Sequence, residues 1–266
     1  MEAPDLKFPI SELSCCGDLY AFPLVRALLG DSLHPGGLAL TRAAVKPLGL
    51  SNDRRLLGVA CGPGASALML SQSHKCRVTG VDVDLGAIQE AQQQCCRFRL
   101  TSLVDFIAAD ATKLPFASSS FDGALCECAS NLFEDRHTAL AEMARVLMPG
   151  GYLALSDVTF LPDELPGPLN HPLIKMLCVP LGLGPETLAD EIERAGLRVQ
   201  DMRDHSWAIT QLLDKLGTFL GSPLTTLDKP VSSETSDHFT AALHCARKLV
   251  EEGSLGYWGF TARKGA

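Results

Sequence analysis

The sequence holds no run of lysine and arginine, and its formal net charge is −8. A dedicated nucleic-acid binder, or a protein held to an anionic membrane, needs a basic face, so neither class is expected. No stretch approaches the roughly 20 consecutive apolar residues that span a bilayer. The opening residues, Met1-Glu2-Ala3-Pro4-Asp5-Leu6-Lys7, lack the apolar core of a secretion signal, and a cytoplasmic location is the resulting expectation. No His-x-x-x-His pair and no paired Cys-x-x-Cys set occurs, and Cys126-x-Cys128 is too short for the usual zinc spacing, so no metal site is expected. Internal repeats and long low-complexity segments are absent as well. What is present suits a globular chain. Of 266 residues, 46% are apolar and 20% charged, enough to bury a sizeable core in one large domain with at most a small accessory region. The ten cysteines are thiols by default in a reducing compartment, most of them small core residues.

From residue 54 onward, strand and helix patterns alternate. Candidate strands cover 55–60, 77–82, 104–109, 121–126 and 151–157, with further strands at 197–202 and 256–264. Candidate helices cover 65–71, 85–98 and 136–146, then 185–195. Asp84 and Asp135 stand where N-caps are needed, and apolar residues recur at helical spacing behind them. Such alternation implies a parallel sheet covered on both faces. Met148-Pro149-Gly150-Gly151 reads as a stop and turn before the fifth strand. Residues 161–185 are too polar and broken for core and read as an insertion near the strand ends. Residues 206–252 look mainly helical, with a break near Gly221-Ser222-Pro223. Ahead of the alternation, 1–50 forms a helical cap with helices near 19–29 and 38–45, and residues 51–266 form the main domain, 161–185 and 206–252 being its substrate-side insertions.

The most informative segment is Arg55-Leu56-Leu57-Gly58-Val59-Ala60-Cys61-Gly62-Pro63-Gly64-Ala65-Ser66. A buried strand runs into a glycine turn and then a helix. Gly62 and Gly64 can adopt positive φ and let a ligand press on bare main chain. The second strand ends on a carboxylate, Asp82, and the third is followed by Asp110-Ala111. A glycine turn after one strand and an acid after the next is how a doubly wound sheet grips a nucleoside.

On these residues the chain resembles the class I S-adenosylmethionine-dependent methyltransferases that act on small molecules. The glycine motif is matched by Leu57–Gly64, the ribose-binding acid by Asp82 and the adenine-contacting acid by Asp110. Leu114-Pro115-Phe116 through Phe121-Asp122, Arg145-Val146-Leu147-Met148-Pro149-Gly150-Gly151 and the final strand at 256–264 are also similar. The resemblance implies an α/β, Rossmann-like, seven-stranded sheet in the order 3-2-1-4-5-7-6, with S-adenosyl-L-methionine as cofactor. It implies cofactor contacts at Ala60, Cys61, Gly62, Gly64, Asp82, Val83, Asp110, Ala111 and Cys126. Two departures stand out: the family usually has an acid where Gly58 stands and a glycine where Ala60 stands. A nicotinamide-binding Rossmann domain is the structural neighbour, but it has a third glycine where Ala67 stands.

Cys126-Glu127-Cys128-Ala129-Ser130-Asn131-Leu132 follows the fourth strand, at the end of a parallel sheet where ligands dock. With Cys178 and Ser156-Asp157-Val158, it is similar to the arsenite methyltransferases. That resemblance casts Cys128 and Cys178 as the residues holding a thiol-bound metalloid, since soft thiolates bind soft centres. A small organic methyl acceptor is the alternative, in which Cys128 only lines the pocket. A cofactor-binding protein without turnover is another, favoured by Gly58. Cys15-Cys16 could reach the pocket if the cap folds over it. Cys61, Cys95 and Cys96 read as structural. His34 reads as a loop hydrogen-bonding residue, ahead of a general base. Thr41 and Arg42 could meet the cofactor's carboxylate, Tyr20 could close the pocket, and His171 could line its entrance.

Overall fold

A computed structural model describes residues 30, 32–170, 179–221 and 233–265. The helix expected at 19–29, with Cys15, Cys16, Tyr20, His171 and Cys178, lies outside the described residues. Within them, helix α1 (Gly37–Ala44) precedes strand β1 (Arg55–Val59), α2 (Ala65–His74), β2 (Arg77–Asp82), α3 (Leu85–Arg97), β3 (Val104–Ala108) and β4 (Phe121–Glu127). Then come α4 (Arg136–Val146), β5 (Leu147–Phe160), α5 (Pro185–Arg194), β6 (Leu197–Asp204), α6 (Trp207–Gly221), α7 (Ser233–Glu251) and β7 (Leu255–Lys264). The strands form one sheet in the order β3-β2-β1-β4-β5-β7-β6, as the resemblance implied. β1 to β5 are parallel, and β7 runs antiparallel between β5 and β6. The strand order reverses between β1 and β4, which opens a crevice at their carboxyl ends.

The helix caps are those the sequence indicated. Asp84 accepts the Gly86 N–H at 2.7 Å, and Asp135 accepts the Thr138 N–H at 2.9 Å. Side-chain alternation splits the sheet's apolar residues between two layers. Leu57, Val59, Ala124, Cys126 and Leu153 pack against α4 and α5. Leu56, Val78, Leu125 and Ala154 pack against α2 and α3. A third cluster, with Leu40, Phe160, Ile209, Ala246 and Tyr257, joins α1, α6 and α7 to the β5–β7 end.

Two expectations need correction. The fifth strand begins at Leu147 and not at 151. The register jumps from Phe121↔Leu147 to Gly123↔Tyr152, so Met148–Gly151 bulges out of a strand that continues on either side. The segment 161–185 is not wholly outside the core either: Leu169 and Leu183 are buried, and Leu183 bridges back to Phe160. Its prolines break regular structure but leave apolar anchors between them.

Two of the family-like phrases are bound to each other. The Arg145 guanidinium donates to both Glu142 oxygens, at 2.6 and 2.8 Å, and to the carbonyls of Leu114 and Phe116. Glu142 in turn accepts the Leu114 N–H at 2.9 Å. Arg145 holds the Glu142 carboxyl below its ordinary 4.5, against the opposing effect of burial. A depressed carboxylate contributes stability that is present above its unfolded pKa and lost as pH falls through its folded one. Wild-type stability should therefore fall as pH drops below 4.5. Glu142→Gln should flatten part of that fall, by about 1 kcal/mol or less for so exposed a pair, measured by denaturant titration at successive pH values.

Candidate functional site

β1 ends in a turn that takes three left-handed residues in close succession: Ala60 at φ +50°, Gly62 at +51° and Gly64 at +82°. An L-residue with a side chain pays about 1–2 kcal/mol in that region, so Ala60 is strained where a glycine would not be. The two glycines serve different ends. A Cβ on Gly64 would lie 2.5 Å from Phe106 Cζ and 3.1 Å from Ala91 Cβ, so close packing of β3 and α3 requires glycine there. Among the described residues, a Cβ on Gly62 would meet only Leu33 Cδ1, at 3.8 Å, so they leave this turn of main chain open to a ligand. Cys61 packs beneath the turn, and burial pushes its thiol well above the ordinary value, which makes it a poor nucleophile.

Asp82 is tied to this turn. Its Oδ2 accepts the Gly62 N–H at 2.8 Å and its Oδ1 the Asp84 N–H at 2.9 Å. Burial raises the carboxyl, and these donors pull it back down. Each oxygen keeps a further lone-pair direction for a ligand hydroxyl. Val83 beside it is 79% exposed, an unusual position for a large apolar side chain. The Ala109 N–H donates to the Asp82 carbonyl at 2.9 Å, which brings the end of β3 alongside. Asp110 there is exposed and accepts the Thr112 N–H at 2.8 Å, while Ala111 is buried in the core. Ala60, Cys61, Gly62, Gly64, Asp82, Val83, Asp110 and Ala111 thus lie at the carboxyl ends of three adjacent strands. An open main-chain turn, a half-satisfied carboxylate and an exposed apolar side chain match the needs of a polar ribose and a flat base.

On the other flank, Cys126 is fully buried in the apolar core, and burial raises its thiol. Only its main chain can take part in a site. Cys128 is half-buried, adopts φ +53°, and donates its N–H to the Ser156 carbonyl at 2.7 Å. Non-glycine residues held at positive φ cluster at functional sites. Cys128 packs against the third apolar cluster beside Tyr257, whose hydroxyl shares a 3.0 Å hydrogen bond with Ser156 Oγ. Behind it, the buried Asp157 accepts four hydrogen bonds. Ser130 Oγ (2.6 Å) and the Asn131 N–H (3.1 Å) reach one oxygen, and Asn131 Nδ2 and the Val158 N–H (both 2.8 Å) reach the other. Asn131 also accepts from Arg136, which forms an ion pair with Glu191 of α5.

One residue of the crevice escaped the sequence reading. Glu127, the last residue of β4, accepts from Thr41 Oγ1 at 2.7 Å and Ser66 Oγ at 2.6 Å, and lies 3.4 Å from His34 Nε2. His34 is itself buried, and its Nδ1 donates to the Pro35 carbonyl at 3.0 Å, which fits the loop role expected of it. Thr41 meets this carboxylate, while Arg42 faces solvent. The available signal was strand alternation, which puts Glu127 on the face of Leu125 rather than of Cys126.

A family pattern described as "Methyltransferase domain" matches residues 57–155, from β1 into β5. The O-methyltransferase rstn1 of Aspergillus nomiae is 34% identical over 180 residues, 66% of this chain and 80% of that protein. The 27-O-demethylrifamycin SV methyltransferase of Amycolatopsis mediterranei is 28% identical over 258 residues, 91% of this chain and 93% of that one. In shape, the phosphoethanolamine N-methyltransferase 2 of Haemonchus contortus, solved with S-adenosyl-L-methionine, superposes with a TM-score of 0.75 at 16% identity. That superposition covers 96% of this chain and 61% of the other.

Proposed function

The chain belongs to the class I S-adenosylmethionine-dependent methyltransferases, and from that premise we propose that it methylates an oxygen of a small organic acceptor. The observation that carries this is its 34% identity across 80% of an O-methyltransferase. S-adenosylmethionine, its cofactor, supplies an electrophilic methyl group on a sulfonium. In this proposal Asp82 accepts from the ribose hydroxyls, Asp110 from the adenine, and Val83 covers the base. The main chain from Ala60 through Gly64 lies against the cofactor, with the main chain of Ala111 and Cys126 at its edges. Cys128, strained at the end of β4 beside Tyr257, faces the acceptor. His34 has both ring nitrogens engaged within the protein, so it serves position and not proton removal.

Incubation with methyl-labelled cofactor and a panel of phenols, alcohols, carboxylic acids and trivalent arsenite tests the proposal. The expected product carries label on oxygen, with S-adenosylhomocysteine released. Label on arsenic alone would overturn it and restore the metalloid role for Cys128 and Cys178. Cys128→Ser should change kcat/KM for the organic acceptor by less than about tenfold, a cost of about 1.4 kcal/mol, because no thiolate chemistry is used. Abolished turnover with unchanged cofactor binding would count against an organic acceptor.

A further inference from the structure

Beneath the glycine turn lies a small niche of about 40 Å³, lined by Gly58, Ala60, Cys61, Ser66, Leu125 and Glu127, among others. It is room for a water-sized group. Gly58 and Glu127 share it because alternation along β1 and β4 turns both to the α2 side of the sheet, with Leu125 pairing Gly58 across the strands. Among the described residues, a Cβ on Gly58 would meet only Cys61 Cβ at 3.6 Å and Gly80 Cα at 3.9 Å, both at ordinary contact distance, so they leave room above this glycine.

The Glu127 side chain is 9% exposed. Among the described residues, its partners are two hydroxyls and one imidazole, with no lysine or arginine ion-paired to it. A carboxylate offers about four lone-pair directions, and the two hydroxyls take two of them. The rest are left for a further donor, and a buried carboxylate gains most from a cationic one. The cofactor has a single cationic nitrogen, the α-ammonium of its methionine end. With the adenosine over Asp82, Val83 and Asp110, that end must run from β2 across β1 toward β4, where Glu127 stands.

We infer that Glu127 binds the cofactor's α-ammonium, with Thr41 and Ser66 fixing the carboxylate, and so performs from β4 the task for which β1 has only Gly58. The inference rests on the crevice holding the cofactor as proposed above. It assigns to this chain a binding residue from a different strand and explains why an uncharged position 58 is compatible with cofactor binding.

The test is calorimetric titration of the full chain with two compounds. S-adenosylhomocysteine has the ammonium; 5′-methylthioadenosine has the same adenosine but no amino-acid end. Glu127→Gln should weaken S-adenosylhomocysteine about 10- to 100-fold, the range of one charge-assisted hydrogen bond, and leave methylthioadenosine within about twofold. Adding Gly58→Asp to Glu127→Gln should recover most of the lost affinity. That double variant, which keeps one carboxylate in the niche, also stands in if the single variant does not fold. Equal weakening of both compounds would mean that Glu127 only supports the turn; no weakening of either would place the ammonium elsewhere. Either result overturns the inference while leaving the crevice intact. Failure of the wild-type chain to bind either compound would refute the crevice itself.

Discussion

Asp157→Ala should lower the stability of this protein by about 3–5 kcal/mol, the range for stripping the partner from buried donors. Each oxygen of Asp157 receives two hydrogen bonds within the protein. Burial pushes the carboxyl up, and the donors around both oxygens pull it back toward the charged form. Alanine would strand the Ser130 hydroxyl, two main-chain N–H groups and one N–H of the Asn131 amide in a site with little water, at about 1–3 kcal/mol each and not additively. Asparagine is no remedy, because its NH₂ would point at an N–H from whichever oxygen position it took. Thermal unfolding should show both variants melting about 6–20 °C below wild type, at 2–4 °C per kcal/mol for a chain of this size. A shift under about 3 °C for Asp157→Ala would show that the network is not stabilising. The loss should also reach the site, since the turn at 130–132 anchored by Asp157 is separated from Cys128 by Ala129 alone.

Asp82→Ala is the second large effect expected, this time on binding. Two charge-assisted hydrogen bonds to ribose, at about 1.5–3 kcal/mol each, would be lost. The same substitution frees the Gly62 N–H from the acceptor that holds the glycine turn in place. The dissociation constant for S-adenosylhomocysteine should rise at least about 100-fold by calorimetry. Stability should move far less, because Asp82 is only partly buried and water can replace it at the Gly62 and Asp84 amides. An affinity within about threefold of wild type would remove Asp82 from the ribose site. Glu127→Gln and Asp82→Ala separate cleanly: only the second should weaken 5′-methylthioadenosine.

Much of this architecture is written in short stretches of chain. Asp84 and Asp135 signal helix starts because a cap acts within three residues of itself. Strand–turn–helix order around Gly62 and Gly64, and the acids Asp82 and Asp110 at strand ends, are likewise local and periodic. The bulge at Met148–Gly151 was misread because a Pro-Gly-Gly turn looks the same whether it precedes a strand or interrupts one. Only pairing with Phe121 and Gly123 on β4 distinguishes the two. Gly64 was assigned to ligand approach, but its lack of a side chain answers to Phe106, a demand visible only once β3 and α3 pack against the turn.

The succession of strands and helices along the chain, the glycine turn and the strand-end acids follow from the sequence alone, since each rests on neighbours a few residues away and on side-chain alternation. Tertiary structure decided which acid faces the niche under that turn. Glu127 is separated from its partner Thr41 by 86 positions, and from Ser66 by 61. No periodicity encodes a contact at that range. It exists because β4 crosses to the far side of β1, bringing the start of α2 and the face of α1 over one carboxylate.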